Sequence, residues 1–380
     1  MADVTPEASD DMIAVRARLH DVIDSKAADA LKRGASADDV VQAMSQARED
    51  SADIIVETLL EKQPGMIEDH EAIHDDVERI IRETWGEALD RLFAVIVGTD
   101  ELLRGWANAN VDAAADAEDQ LWGAVSGLAA TALRTSFEGH RLLRHGFPDG
   151  AAARARSLHE LAVVVRVLVE HDDLDLAARF WDHQLVDQLD YVRKHNKHAA
   201  ALGRLPMPAE QTELEAIVTQ LRVTHGEGFH RPNGWALPAL GRTDGGVSFA
   251  DLEAIAGLDH WRPDYKIGSL KVHPTAWHSV LSMEKNGHVT SWRLTGLCEP
   301  GTAMLASLGL IAADAVARGS RSEPNQFDLL GAVALQKLSE VTAWALLDAE
   351  SNAERREATE QLRPPARWVR RPGTGEPPTP

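Results

Sequence analysis

The stretch that most constrains the fold is residues 151–171, AAARARSLHELAVVVRVLVEH, the most apolar helical segment of the chain. Between Leu158 and Val169 the apolar residues leave almost no polar side at helical spacing. A helix that is hydrophobic on nearly every side is buried by its neighbours. The stretch therefore predicts the central helix of a multi-helix bundle.

Most of the remaining chain repeats the pattern of amphipathic helices, with apolar residues at helical spacing and acidic residues between them. Ser36 and Asp39 are spaced like a capping box in which Asp replaces the usual Glu. The helix that begins at this cap is predicted to end at Lys62, before Pro64. The only strand signal is Asn286-Gly287, a pair typical of tight hairpin turns. We expect an all-α fold with at most one short β-hairpin near residues 279–294.

Changes in composition divide the chain into three parts. Residues 1–110 form an acidic helical extension, residues 111–362 a helical domain, and residues 363–380 a Pro- and Arg-rich tail that we expect to be disordered. The extension has two interpretations. It is either a solvated helical bundle or an arm that joins copies of the chain into a homo-oligomer or recruits another partner.

The net charge and the cysteine content indicate the cellular compartment of the protein and the kinds of partner that it can bind. The net charge is -21, which disfavours non-specific binding to nucleic acid. Cys298 is the only cysteine, as expected of a protein from a reducing cytoplasm. The acidic N-terminus does not resemble a signal peptide, and the apolar run 304–316 is interrupted by Asp314. We expect a cytoplasmic protein with no membrane span.

Two opposite charges lie one turn apart on the apolar helix, Arg156 and Glu160. Arg before Glu is the less favourable order for a surface pair on a helix, so surface stabilisation explains it poorly. If the pair is buried, the two charges must be hydrogen-bonded, because their desolvation is costly. The alternative is a partly exposed pair at the polar start of the helix.

A second set of polar residues lies about a hundred positions downstream. Tyr265, Ser269 and His273 follow one another at four-residue intervals and share one face if the segment is helical. Pro274 disfavours helix at His273, which should therefore lie at the C-terminal edge. These side chains can bind a phosphate, the edge of a nucleic-acid base or a neighbouring helix.

From these two sets we predict one pocket. Arg156 would hold an anionic group, Glu160 would orient Arg156 or accept a proton, and His273 would be the acid or base. Tyr265 and Ser269 would line the binding site. We predict neither a cofactor nor a metal: HGEGFH, with His225, Glu227 and His230, lacks the H-E-x-x-H spacing of zinc enzymes.

Two motifs carry a resemblance to a known family. LLRHGFPDGAAARARSLHEL contains R-x-x-x-E in the second of two helices, and YKIGSLKVHP follows much later. With these motifs the chain resembles a bacterial family, domain-of-unknown-function family 5677, over roughly residues 125–315. The resemblance implies an all-helical fold and brings no established activity.

A looser likeness is to the helical ribonuclease domains of toxin and phage-defence systems, in which His follows Arg after four to six residues. Arg154/His159, Arg166/His171 and Arg193/His198 all fit this spacing. The hypothesis is therefore an RNA-cleaving or anion-binding toxin or defence protein, with RNA or an anionic small molecule as the ligand. The alternative is a non-enzymatic module for oligomerisation or partner binding, and whether the protein is an enzyme stays open.

Overall fold

A computed structural model describes residues 24–172, 175–273, 275–276, 296–319 and 324–358. None of the described residues belongs to a β-strand, and most are helical, which confirms the all-α prediction. The predicted hairpin near 279–294 and the tail 363–380 lie outside the described residues.

Nine of the α-helices within these ranges are labelled here in chain order. They are α1 (Ala37–Asp116), α2 (Gln120–Arg144), α3 (Pro148–Glu170), α4 (Leu176–His198), α5 (Pro208–His225), α6 (Phe249–Ile255), α7 (Arg262–Val272), α8 (Cys298–Arg318) and α9 (Gln326–Ala358).

Helix α1 is one continuous helix of 80 residues, so the predicted end at Pro64 is wrong. Proline removes one backbone hydrogen bond from a helix interior. The residues from 59 to 72 are all exposed, and water can therefore bond the carbonyl that Pro64 leaves free. The predicted capping box is confirmed: the Ser36 backbone N–H donates to Asp39 and the Asp39 N–H donates to Ser36 Oγ. The hydrogen bonds from Ser36 lower the pKa of Asp39.

The described residues fall into two compact units that divide within α1. One contains residues 24–80 and 356–358, and the other runs from Ile81 to Arg355. Residues 81–110 thus group with the second unit, whereas the sequence placed them in the N-terminal extension. Their buried side chains, among them Leu89, Leu92 and Trp106, explain this grouping. The functional separation of the extension stays a prediction.

Helix α3 lies at the centre of the second unit, as the sequence predicted. It packs on α2, α6, α7 and α8. The apolar residues Leu158, Ala162, Val163, Val165, Val167 and Leu168 are completely buried. Full burial of one such side chain contributes ~1.5–3 kcal/mol. Helix α3 therefore contributes a large share of the apolar burial in this unit.

The arginine inside the valine run is paired across the bundle. Arg166 Nε donates to Asp314 Oδ2 of α8 at 2.7 Å, and Arg166 also donates to Glu170 at 3.1 Å. Burial raises the pKa of Asp314, although Arg166 opposes that shift. The same Asp314 interrupts the apolar sequence of helix α8, which by length and composition alone passes as a membrane span. Most of its apolar residues are buried in the bundle, as in the core helix of a globular protein.

One glycine sets how closely α7 approaches α3. A Cβ atom at Gly268 would lie 2.9 Å from Arg156 Cβ and 3.0 Å from the Ala152 carbonyl oxygen. The neighbouring backbone cannot yield cheaply at such distances. Gly268 therefore allows the contact that brings the residues of α7 to those of α3.

The substitution Gly268→Ala tests this contact. We expect the free energy of unfolding to fall by ~1–2 kcal/mol, because overpacking outweighs the gain in helix propensity. The matched control is Gly127→Ala in α2, where an added Cβ meets nothing within 4 Å. It should raise stability by ~0.5–1 kcal/mol. Urea denaturation measures both, and an increase in stability for Gly268→Ala would contradict the account.

Candidate functional site

Three of the five predicted site residues meet in the structure. Arg156 Nη2 donates to Glu160 Oε1 at 2.8 Å and to the Tyr265 hydroxyl at 3.1 Å. The Tyr265 hydroxyl in turn donates to Glu160 Oε1 at 3.1 Å. Arg156 and Glu160 of α3 and Tyr265 of α7 thus form a closed triangle of hydrogen bonds.

The sequence left open whether Arg156 and Glu160 are buried, and the structure shows their exposure. The Arg156 side chain is 18% exposed and that of Glu160 is 35% exposed, so the pair is partly buried, in the middle of α3. The guanidinium also lies over the Tyr265 ring, 5.0 Å from its centroid. A cation above an aromatic face is attracted to it, and here this contact joins two helices. The arrangement fixes α7 on α3.

The other two predicted residues do not join the triangle. The Ser269 hydroxyl donates to the Tyr265 carbonyl oxygen of its own helix at 2.8 Å. His273 is exposed and extended just after the last residue of α7, at the edge that Pro274 predicted. Its backbone N–H donates to the Ser269 carbonyl. The catalytic roles assigned to Arg156, Glu160 and His273 and the binding roles of Tyr265 and Ser269 stay predictions.

Sequence reasoning missed a more deeply buried polar cluster beside the triangle. Either Nε2 of His159 or Oε1 of Glu253 carries the proton of a hydrogen bond of 2.9 Å between them. Arg262 donates to the other oxygen of Glu253. Glu253 is 1% exposed, and a carboxylate so buried requires such partners. One signal was present: Glu253 occupies an apolar position of α6, one residue after buried Leu252.

A small cavity lies beside these polar residues. A cavity of about 30 Å³ is lined by Arg156, His159, Tyr265 and Ser307 among others. A cavity of this size holds about one water molecule. A ligand pocket lined by all five predicted residues therefore stays a prediction.

The candidate metal ligands of the HGEGFH segment each contact a different partner. His225 is hydrogen-bonded to Asp182 at 2.6 Å, and Arg222 is hydrogen-bonded to Glu227. His230 is hydrogen-bonded to the Glu227 carbonyl oxygen. These contacts hold the turn after α5 and leave the three side chains engaged separately.

A far larger pocket lies between the 100–107 segment of α1, helix α2 and the start of α3. Its volume is about 1020 Å³. The larger apolar side chains that line it are Leu103, Trp106, Leu133, Phe137 and Leu142. The small ones are Ala107, Ala129, Ala130, Gly150 and Ala153. The alanine-rich sequence of α2 leaves the space that larger side chains would fill.

The walls of this pocket are held by packing on their outer sides. Phe137 meets Phe93 edge to face at 6.1 Å between ring centroids, and Trp106 lies 6.4 Å from Trp122. Behind the wall, His140 Nε2 is 3.1 Å from the Leu89 carbonyl oxygen. Burial lowers the pKa of His140 to about 4, so this ring is neutral at physiological pH. The positive charge near the pocket therefore comes from arginines alone.

Four arginines and two carboxylates surround the opening. Arg104 is paired with Asp100 at 2.8 Å, and Arg154 with Glu138 at 3.3 Å. Within the described part of the chain, Arg134 and Arg141 have no acidic partner. This opening is net positive in a chain whose net charge is -21. The two carboxylates, Asp100 and Glu138, are each paired with an arginine, and the remaining charge that a bound anion would meet is positive.

The geometry also separates the Arg/His pairs of the ribonuclease likeness. Arg154 pairs with Glu138 of α2, whereas His159 pairs with Glu253 of α6 on another side of the same helix. Arg193 pairs with Glu215, and His198 is exposed at the end of α4. In these two cases the arginine and the histidine contact different surroundings.

The substitution Tyr265→Phe tests the triangle. Removal of the hydroxyl leaves the ring in place and takes one partner from both Arg156 and Glu160. We expect the free energy of unfolding to fall by ~1 kcal/mol in urea denaturation. Tyr191→Phe is the matched control, since Tyr191 is the other tyrosine of the chain and is exposed. Equal stability of the two variants would contradict a triangle that joins α7 to α3.

Comparison with known proteins gives one finding. No match to the chain is found among curated proteins or among solved structures. The resemblance that the sequence motifs carried is confirmed for a segment that begins in α2 and includes α3 to α7. Residues 123–288 match the Family of unknown function (DUF5677).

Proposed function

We propose that this protein is a binding protein, and that the pocket between α1, α2 and α3 holds a small molecule with an apolar body. The observation that carries the proposal is the pocket itself, a space of about 1020 Å³ with a mostly apolar lining. Small-molecule sites usually occupy ~300–1,000 Å³ and combine apolar walls with a few polar groups. The pocket is at the upper end of this range.

The state of the wall residues supports a pocket that exists before the ligand arrives. Leu103, Trp106 and Ala129 line the space and are nevertheless almost completely buried by neighbouring side chains. A site whose walls are already packed loses little conformational entropy on binding. This favours a specific ligand over a surface that takes shape around any partner.

The chemistry of the lining supports binding more than catalysis. The described lining residues contain no histidine or cysteine, and their only hydroxyl belongs to Ser126. A nucleophile needs a neighbouring base to be activated, and no such pair faces the space. Cys298 lies elsewhere, at the start of α8, and burial raises its pKa to about 11.

A dye-binding experiment tests the proposal. Nile red, a neutral apolar dye, should bind the protein saturably at one site and gain fluorescence. The substitution Ala130→Trp fills the pocket from α2 and should weaken binding about 10-fold, or ~1.4 kcal/mol. The matched control is Ala209→Trp, since Ala209 is an exposed alanine at the start of α5. Unchanged affinity in Ala130→Trp, or absence of saturable binding, would contradict the proposal.

RNA cleavage in a bacterial cytoplasm, as part of a toxin or phage-defence system, stays a prediction. No specific observation favours it over ligand binding. His273 does not meet the Arg156–Glu160 pair, and the guanidinium of Arg156 is engaged by Glu160 and Tyr265.

A second function, self-association, is favoured by the apolar side chains that α1 exposes before residue 81. Val41, Val56, Leu60, Met66 and Ile67 are each about half or more exposed. Exposed apolar groups of this density on one helical segment are typical of a surface that another chain covers. We propose that this segment joins copies of the protein, independently of the pocket.

The double substitution Leu60→Glu and Ile67→Glu tests self-association. We expect the molar mass measured by light scattering to fall to that of one chain, because two charges would have to be buried in the interface. Leu205→Glu is the control, since Leu205 is 86% exposed and lies outside α1. A molar mass that does not differ between the double variant and the original protein would rule out this surface.

A further inference from the structure

We infer that the ligand of the large pocket is an elongated amphipathic anion, namely a single apolar chain with a carboxylate head. Arg134 and Arg141 of α2 bind the head, and the apolar chain extends toward Trp106. This inference rests on the proposed function, because it names the class of molecule that the same pocket takes.

The two arginines are placed to act together. They are seven positions apart on α2, which is about two turns, and both line the same pocket. Two turns correspond to ~10.5 Å along the helix axis, a distance that two long side chains can close from both ends. Arginine presents several N–H donors in a planar fork that matches a carboxylate.

Their lack of partners distinguishes them from the other charges at the opening. Arg104 and Arg154 are each neutralised by a carboxylate of the protein, Asp100 and Glu138 respectively. Among the described residues, Arg134 and Arg141 are left without one. In a chain with 60 acidic residues and 39 basic ones, two unpaired arginines at one pocket are well placed to receive a negative charge from outside.

The positions of the pocket-lining residues along α2 indicate which shape of ligand fits. The lining residues of this helix extend from Ser126 to Leu142, sixteen positions and therefore ~24 Å. Within α2 the basic lining residues are confined to the part from Arg134 onward, where Arg154 of α3 also lies, and Arg104 of α1 is neutralised by Asp100. The part nearer Ser126 has alanines and, from α1, Trp106. A molecule with its charge at one end and an apolar chain at the other fits this division.

Calorimetry with a matched pair of ligands tests the inference. Dodecanoate and 1-dodecanol share the same apolar chain and differ in the charge of the head. The original protein should bind dodecanoate at least about 10-fold more tightly than 1-dodecanol. The preference should shrink as salt is added, because ions screen an exposed charge pair.

Substitution of the two arginines then locates the head. In the double variant Arg134→Gln and Arg141→Gln, the affinity for dodecanoate should fall to that for 1-dodecanol, and the affinity for 1-dodecanol should not change. The control is Arg204→Gln, since Arg204 is exposed and lies outside the pocket. Both arginines are exposed, so circular dichroism should show the double variant folded like the original protein.

The outcomes distinguish a failure of this inference from a failure of the proposed ligand-binding function. If both ligands bind equally and Nile red still binds, the pocket stands and the anionic head is refuted. If neither ligand binds, and Nile red does not bind either, the proposed function fails as a whole. Stronger binding of dodecanoate that survives in the double arginine variant would place the head elsewhere and overturn the inference.

Discussion

Helix α3 is buried on nearly every side, and four polar residues along it have partners on four different neighbouring helices. Arg154 pairs with α2 and Arg156 with Tyr265 of α7. His159 pairs with Glu253 of α6, and Arg166 with Asp314 of α8. Because a polar group buried without a partner costs more than a satisfied one contributes, the buried pairs favour the observed positions of α6, α7 and α8 on α3.

The same helix explains why the pocket lies where it does. At its start α3 carries Gly150, Ala153 and Arg154, and these residues close one end of the space beneath α2. One turn later the side chains become large and apolar, and the core fills completely. The pocket is thus the continuation of the core into a region where the facing side chains are alanines. Where the side chains of α2 are large, the core is packed, and where they are alanines, a space for a ligand remains.

Several elements could be predicted from the sequence because they depend on local patterns. The position of α3 follows from its apolar run, the Ser36–Asp39 cap from its spacing, and the approach of Tyr265 to Arg156 from a charged pair on an apolar helix and a polar stripe on a later one. Pro64 misled because the cost of a proline inside a helix is lowered where the helix is exposed. The bond between His159 and Glu253 joins residues 94 positions apart, and no local pattern indicates which partner a buried histidine will have. The pocket was missed for a related reason. It forms where small side chains of three different helices face one another, and the sequence does not show which residues of these helices face one another.

Hydrogen exchange measured with and without dodecanoate tests most directly whether a rigid centre carries a preformed pocket. Amides exchange slowly where the core is packed and more slowly still where a ligand adds stability. We predict that residues 158–169 are the slowest of the chain in both states. Dodecanoate should add protection mainly in residues 100–107 and 126–154. Rapid exchange in 158–169, or added protection confined to segments outside the pocket, would contradict the account.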